Sequence, residues 1–205
     1  GVRNLNKFSA MPRAKRISQS EFPYHVTSRT VNKESFHLDL DRLWSFVSMR
    51  LHFCSFAFGI EIHAFVLMKN HYHLIVRTPE ANLSEFMCYF NRELSKEINR
   101  STNRINQTFG NRYYASIVKD PRYYLTLYRY VYRNPVEANV CRSVEEYKFS
   151  SLQQVLGNKK MEFPIFDFPI VDGQWFKNLD WLNSCYKKDE REQIRQSLKR
   201  QIFEL

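Results

Sequence analysis

The chain has no Cys-x-x-Cys pair: Cys54, Cys88, Cys141 and Cys185 lie far apart. That spacing signals neither a zinc knuckle nor a compact disulfide framework, and a reduced, cytoplasmic setting is expected. A long apolar run is also missing. The most apolar stretch, RLWSFVSMRLHFCSFAFGI (42–60), is interrupted by Arg50 and His52, so no membrane span and no membrane partner are expected. No stretch reads as a signal peptide, and there is no internal repeat or low-complexity tract. Acidic residues are absent from the first 20 positions, which carry Arg3, Lys7, Arg13, Lys15 and Arg16 without a hydrophobic period. Residues 1–20 therefore read as a basic flexible arm. Met11 followed by PRAKRIS looks like a natural start, and whether residues 1–10 are native or an upstream extension stays open.

What is present is cationic and aromatic. The 205 residues suffice for one sizeable domain, or one domain with an appended subdomain, and for a substantial core. The 31 Lys and Arg residues against 21 Asp and Glu leave a net charge of +10, alongside 12 Tyr and 17 Phe. Cations gain by releasing counterions from phosphates and aromatic rings stack on bases, so the balance points to a nucleic acid. The alternative is a chain that is basic only for solubility.

Local patterns order the elements. YHVTSRT (24–30) alternates and is rich in strand formers. Leu40, Leu43, Val47, Leu51 and Cys54 then follow helical spacing behind Asp39, a possible N-cap. EIHAFVLM (61–68) and HYHLIVRT (71–78) predict a β-hairpin with Asn70 in its turn. Asn82 and Glu85 fit a capping box for a helix whose apolar stripe runs from Leu83 through Phe90 to Ile98, with Arg92, Lys96 and Arg100 on the opposite face. Residues 111–120 form a fourth strand candidate, and 121–134 a helix with Asp120 as cap and Pro121 at its first position. The order β-α-β-β-α-β-α predicts an α+β fold of the ferredoxin-like split βαβ type: one antiparallel sheet with helices on one face, plus a C-terminal helical extension. Residues 21–155 read as the main domain. Residues 156–205 read as an extended, Pro- and aromatic-rich segment ending in a helix marked by Ile194, Leu198 and Ile202.

One strand carries chemistry. Side chains at i and i+2 share a face, so His71 and His73 present two imidazoles side by side, a geometry suited to one divalent ion. Two surface histidines on a half-exposed strand remain the alternative. In YRYVYRNPVEANV (128–140), only Tyr130 is followed four positions later by a metal-competent polar residue, Asn134. Asn134-Pro135-Val136-Glu137 also fits a second helix start with Asn134 as cap.

HAFVLMKNHYHLIV resembles the His-hydrophobic-His (HUH) segment of single-tyrosine transposases, and YRYVYRNPVEANV resembles their tyrosine helix, above all in the REP-associated tyrosine transposases. YHVTSRTVNKESF and FGNRYYASIVKDPRYYLTL match further segments in the same order, over roughly residues 20–155. Lys69, where the family usually has proline, and Tyr132-Arg133 depart from the pattern. The resemblance implies a metal-dependent endonuclease and strand transferase acting on single-stranded DNA beside a hairpin or imperfect palindrome. It implies Tyr130 as nucleophile, His71 and His73 as ligands of a divalent ion, and Asn134 as a further ligand. Mixed imidazole and amide ligation suits Mg²⁺ or Mn²⁺ and leaves zinc open. Candidate DNA contacts are Arg13, Lys15 and Arg16 in the arm, Arg92 and Lys96 on the helix, and Arg112; for the arm the alternative is an inert, solvated tail. A domesticated, non-catalytic hairpin-binding protein is the other reading, and monomer and homodimer are both open.

Overall fold

Strand residues that alternate between two apolar faces need cover on both sides, and that requirement shapes this molecule. The computed structural model describes residues 16–105, 107–167 and 177–205. The strands are β1 (Tyr24–Arg29), β2 (Glu61–Leu67), β3 (His71–Arg77) and β4 (Tyr114–Ile117). The helices are α1 (Leu40–Ala57), α2 (Leu83–Thr102), α3 (Pro121–Glu137), α4 (Leu152–Val155), α5 (Leu179–Asn183) and α6 (Glu190–Ser197). All strand pairs are antiparallel in the order β2-β3-β1-β4, the ferredoxin-like arrangement expected from the element order.

The expectation of helices on one face is corrected. Tyr72 points toward α2, with its ring 5.6 Å from Phe90, whereas its neighbour His73 points toward α3, with its ring 5.7 Å from Tyr130. Consecutive strand residues face opposite ways, so α2 and α3 lie on opposite sides of the sheet. Trp44 on α1 packs 5.9 Å from Phe65, which is itself 5.8 Å from Tyr72, so α1 joins α2. The physical reason lies in the strands. Ile62 through Leu67 and Tyr72 through Val76 are buried without a break, and a one-sided arrangement would leave half of them wet.

Caps fix the helix starts. Asp39 accepts from the backbone N–H of Asp41 and Arg42, and Asp120 from that of Arg122, as their positions predict. The capping box at Asn82 does not form, because its Nδ2 donates to the Phe58 carbonyl at 2.9 Å instead. The helix break expected at Asn134 is absent too: α3 runs through Pro135 to Glu137. Proline there falls in the last turn, where it forfeits a single backbone bond. The Arg133–Glu137 pair at 2.7 Å spans the same turn.

The fourth strand is shorter than expected. Its outer edge is covered by the chain's end, with the Ile117 N–H donating to Gln201 O and the Phe203 N–H to Ile117 O, both at 2.8 Å. Helix α6 ends at Ser197, so Ile202 falls beyond it in a parallel bridge with Ile117. Before the final helices, Phe163 packs on Trp44 and Phe65, and the Phe166 N–H donates to Ile62 O. Among the described residues, no helix is long and apolar enough to cross a membrane.

Candidate active site

The face of the sheet under α3 collects polar side chains by register. His71 and His73 alternate outward from β3, and β1 places Arg29 opposite His71 and Thr27 opposite His73. His25 follows on the same face. The rings of His71 and His73 lie 5.0 Å apart. Above them Tyr130 stands nearly perpendicular, 5.7 Å from His73 and 6.4 Å from His25. Other tyrosines of α3 point elsewhere. Tyr124, Tyr128 and Tyr132 form a stripe at four-residue steps, with ring separations of 6.2 and 4.7 Å. Burial holds the hydroxyls of Tyr124 and Tyr128 well above the phenol range and that of Tyr132 up at about 12. A residue two positions from this stripe is turned about 200° around the helix, which turns Tyr130 away from it toward His73 and His25.

Hydrogen bonds orient the imidazoles. His71 Nδ1 lies 2.7 Å from Asn70 Oδ1, and the Asn70 amide is fixed by its Nδ2 donating to Lys33 O at 2.6 Å. An amide oxygen only accepts, so His71 Nδ1 carries the proton and Nε2 keeps its lone pair. His73 Nδ1 is 2.9 Å from His25 Nε2, while His73 Nε2 is buried without a partner. Burial pushes His25 and His71 down to about 3, with the Arg29 and Arg195 charges adding to the fall at His71. His73 lies well below the usual imidazole range, through burial first and then its histidine and arginine neighbours. All three are neutral at physiological pH, the state in which imidazole binds metals. Asn134 is buried one turn along from Tyr130, its Nδ2 donating to the Tyr130 carbonyl at 2.7 Å. Its Oδ1 accepts no hydrogen bond among the described residues. No group of three or more His, Cys, Asp or Glu side chains with metal-site spacing occurs among the described residues. An ion here would rest on the His71 and His73 imidazoles, with Asn134 joined to the site only through its bond to the Tyr130 carbonyl. The lone, buried Nε2 of His73 fits such an ion.

Residues 18–134, more than half of the chain, match the family described as "Transposase IS200 like". The chain belongs to that family. No curated protein matches it. Among solved structures, this transposase resembles a REP-associated tyrosine transposase bound to a REP hairpin, with a TM-score of 0.59 at 19% identity, over 78% of this chain and 96% of that one. At that identity the likeness is one of fold.

The transposase's candidate DNA contacts separate into groups. Arg13 and Lys15 lie outside the described residues. Arg16, Arg92 and Arg112 come together around a cavity of about 400 Å³ that is also lined by Asn91, Phe109 and Tyr113. Arg16 stacks 3.7 Å over the Tyr113 ring and bonds that residue's carbonyl. Lys96 is not in the lining and pairs with Glu93 at 3.0 Å. Asn91 accepts from the Tyr72 hydroxyl at 2.6 Å, which puts this cavity on the α2 side, across the sheet from Tyr130.

Three residues at the histidine cluster escaped the sequence reading. His25 and Arg29 belong to the alternation of YHVTSRT, and the same i, i+2 logic applied there would have put them on one face with Thr27. Only the register shows that this face is the one His73 occupies. Arg195 acts from α6, whose helix the spacing of Ile194 and Leu198 marks but whose docking beside the histidines no local pattern shows.

Proposed function

We propose that this transposase nicks and rejoins single-stranded DNA beside a hairpin through a 5′-phosphotyrosine on Tyr130, with residues 21–155 as the nuclease domain and 156–205 as an appended extension. The observation that carries the reading is Tyr130 standing over His73, with their rings 5.7 Å apart, in the cluster where His71 lies 5.0 Å from His73. In the reaction the Tyr130 hydroxyl oxygen forms a bond to phosphorus and the P–O3′ bond breaks. The phenol proton leaves to water, and the departing 3′ oxygen takes up another. Reversal by a different 3′ hydroxyl joins a new strand and regenerates Tyr130, with no nucleotide cofactor. His71 and His73, each through Nε2, and Asn134 through Oδ1 would hold Mg²⁺ or Mn²⁺, which when bound supplies Lewis-acid stabilisation of the phosphate oxygens. Arg29, whose guanidinium has no partner among the described residues, offers further positive charge opposite His71.

The hairpin partner is supported by the solved relative, whose complex contains one. Arg16, Arg92 and Arg112 around their cavity are suited to phosphates and a stacked base, with Arg13 and Lys15 extending the track and Lys96 nearby. A non-catalytic hairpin binder is the second reading. On its side stands the burial of Tyr130, which is 6% exposed, so a scissile phosphate must find access to it. End-labelled hairpin DNAs incubated with the protein and Mg²⁺ or Mn²⁺ decide between them on denaturing gels. A covalent protein–DNA band that Tyr130→Phe abolishes supports the transferase. Tight binding with no such band in either metal leaves the binder.

A further inference from the structure

His25 belongs to neither the metal ligands nor the nucleophile, yet it is the residue most closely engaged with the cluster. Its ring is 2% exposed and stacks on His73 with centroids 5.2 Å apart, and its Nε2 faces His73 Nδ1 at 2.9 Å. One of these two nitrogens must carry the proton between them. If His25 donates, neutral His73 holds its own proton on Nε2, and the structure strands a buried N–H with no acceptor. If His73 donates, the same atom is a bare lone pair. Orphaned buried N–H groups are the rarer and more costly defect, so the second arrangement is favoured.

We infer that His25 is a positioning residue: as an acceptor at Nε2 it fixes His73 in the Nδ1–H tautomer and leaves the buried His73 Nε2 as a free lone pair for a ligand. The role rests on the metal reading above only for its purpose, because the tautomer itself is a property of the metal-free protein. It makes the two β3 histidines equivalent. His71 is set by an amide oxygen on the turn and His73 by an imidazole on the next strand, so both offer Nε2. Ligand histidines elsewhere are commonly oriented by a carboxylate. A neutral imidazole performs the same orientation without adding negative charge. In a pocket that must admit a DNA phosphate beside Arg29 and Arg195, a carboxylate would repel the substrate.

The test uses full-length protein with ¹⁵N-labelled histidine, with His73 resonances assigned from a His73→Gln variant. Two-bond ¹H–¹⁵N spectra of the metal-free protein report which nitrogen of His73 is protonated, and Mn²⁺ titration followed by electron paramagnetic resonance reports affinity. The wild type is expected to show Nδ1–H at both His25 and His73. His25→Phe, which keeps a ring but no acceptor, is expected to mix the His73 tautomers and weaken Mn²⁺ binding by about 10- to 100-fold. His25→Gln places an oxygen near the lost Nε2 and is expected to restore both. A wild-type spectrum with His73 protonated at Nε2, or a tautomer unmoved in His25→Phe, overturns the inference, and the first of these needs no variant to fold. A tautomer that shifts as expected in a protein that binds no Mn²⁺ upholds the role of His25 and defeats the metal reading instead.

Discussion

Tyr130 and Tyr132 are two residues apart on α3 and are bound to opposite fates. The Tyr132 hydroxyl is 2.9 Å from Ser151 Oγ, and that oxygen also accepts from the Phe65 N–H at 2.8 Å, so Tyr132 ties the helix to the core. Tyr132→Phe is expected to cost about 1–2 kcal/mol of stability, read from denaturant unfolding, while leaving the covalent DNA band intact. Tyr130→Phe should do the reverse. Equal loss of the band in both variants would count against Tyr130 as nucleophile. Arg29 offers a second contrast. With no partner to lose, Arg29→Ala should leave the melting temperature nearly unchanged, yet slow adduct formation at saturating DNA by about 100-fold if its charge meets the phosphate. The buried histidines add a pH signature. Their folded-state values lie below the unfolded one, so the unfolded chain binds more protons and stability rises with pH across the window. His25, lowered from 6.5 to about 3, is fully favourable to folding above pH 6.5, and its contribution is lost as pH falls toward 3. At pH 5 one histidine shifted this far costs about 2 kcal/mol. Urea unfolding at pH 7 and pH 5 measures it, and an unchanged midpoint would refute the buried, neutral cluster. Of these residues, His71, His73 and Tyr130 were legible because their signals are local. His25 was not, since it meets His73 across 48 positions and through a strand register that no short pattern encodes.

At the level of elements, the sequence spoke clearly where a side chain acts on its own backbone. Asp39 and Asp120 mark their helices, and the β-branched and aromatic runs at 61–67 and 71–77 on either side of Asn70 give the hairpin its strands. Asp120→Ala, which removes the acceptor of the Arg122 N–H at 2.8 Å, should lower stability by about 1 kcal/mol. Thermal unfolding checks it, and a wholly unchanged transition would show that the start of α3 is held by tertiary packing alone. The failures share a cause. Asn82 had a competing partner in the Phe58 carbonyl, at the end of α1, and Pro135 had a helix already anchored by its neighbours' packing. In both cases a contact from elsewhere in the chain outweighed a local preference. The misplacement of α3 is of the same kind. Its tyrosines form a buried stripe, but which side of the sheet receives it depends on β2 and β3 being apolar on both.

At the scale of the whole molecule, two candidate DNA sites occupy different sides of one sheet. The arginine-lined cavity lies with α2, and the histidine cluster lies under α3. If a DNA strand is gripped at one and cut at the other, it must pass around the sheet's edge or end, and binding and reaction should then be separable by substitution. Arg112 is exposed and has no ion pair among the described residues, so its removal tests binding with little effect on the fold. If Arg112 meets a phosphate, Arg112→Ala should weaken binding across DNA sequences alike and reduce the slope of log affinity against log salt by about 1. The rate of adduct formation at saturating DNA should be unchanged. Arg29→Ala should show the opposite pattern, a slower reaction with affinity nearly retained. Fluorescence anisotropy over a salt series, paired with single-turnover gels, separates the two. Should Arg112→Ala slow the saturated reaction as much as Arg29→Ala does, the cavity and the cluster would act on the same nucleotide, and the division of labour across the sheet would fail.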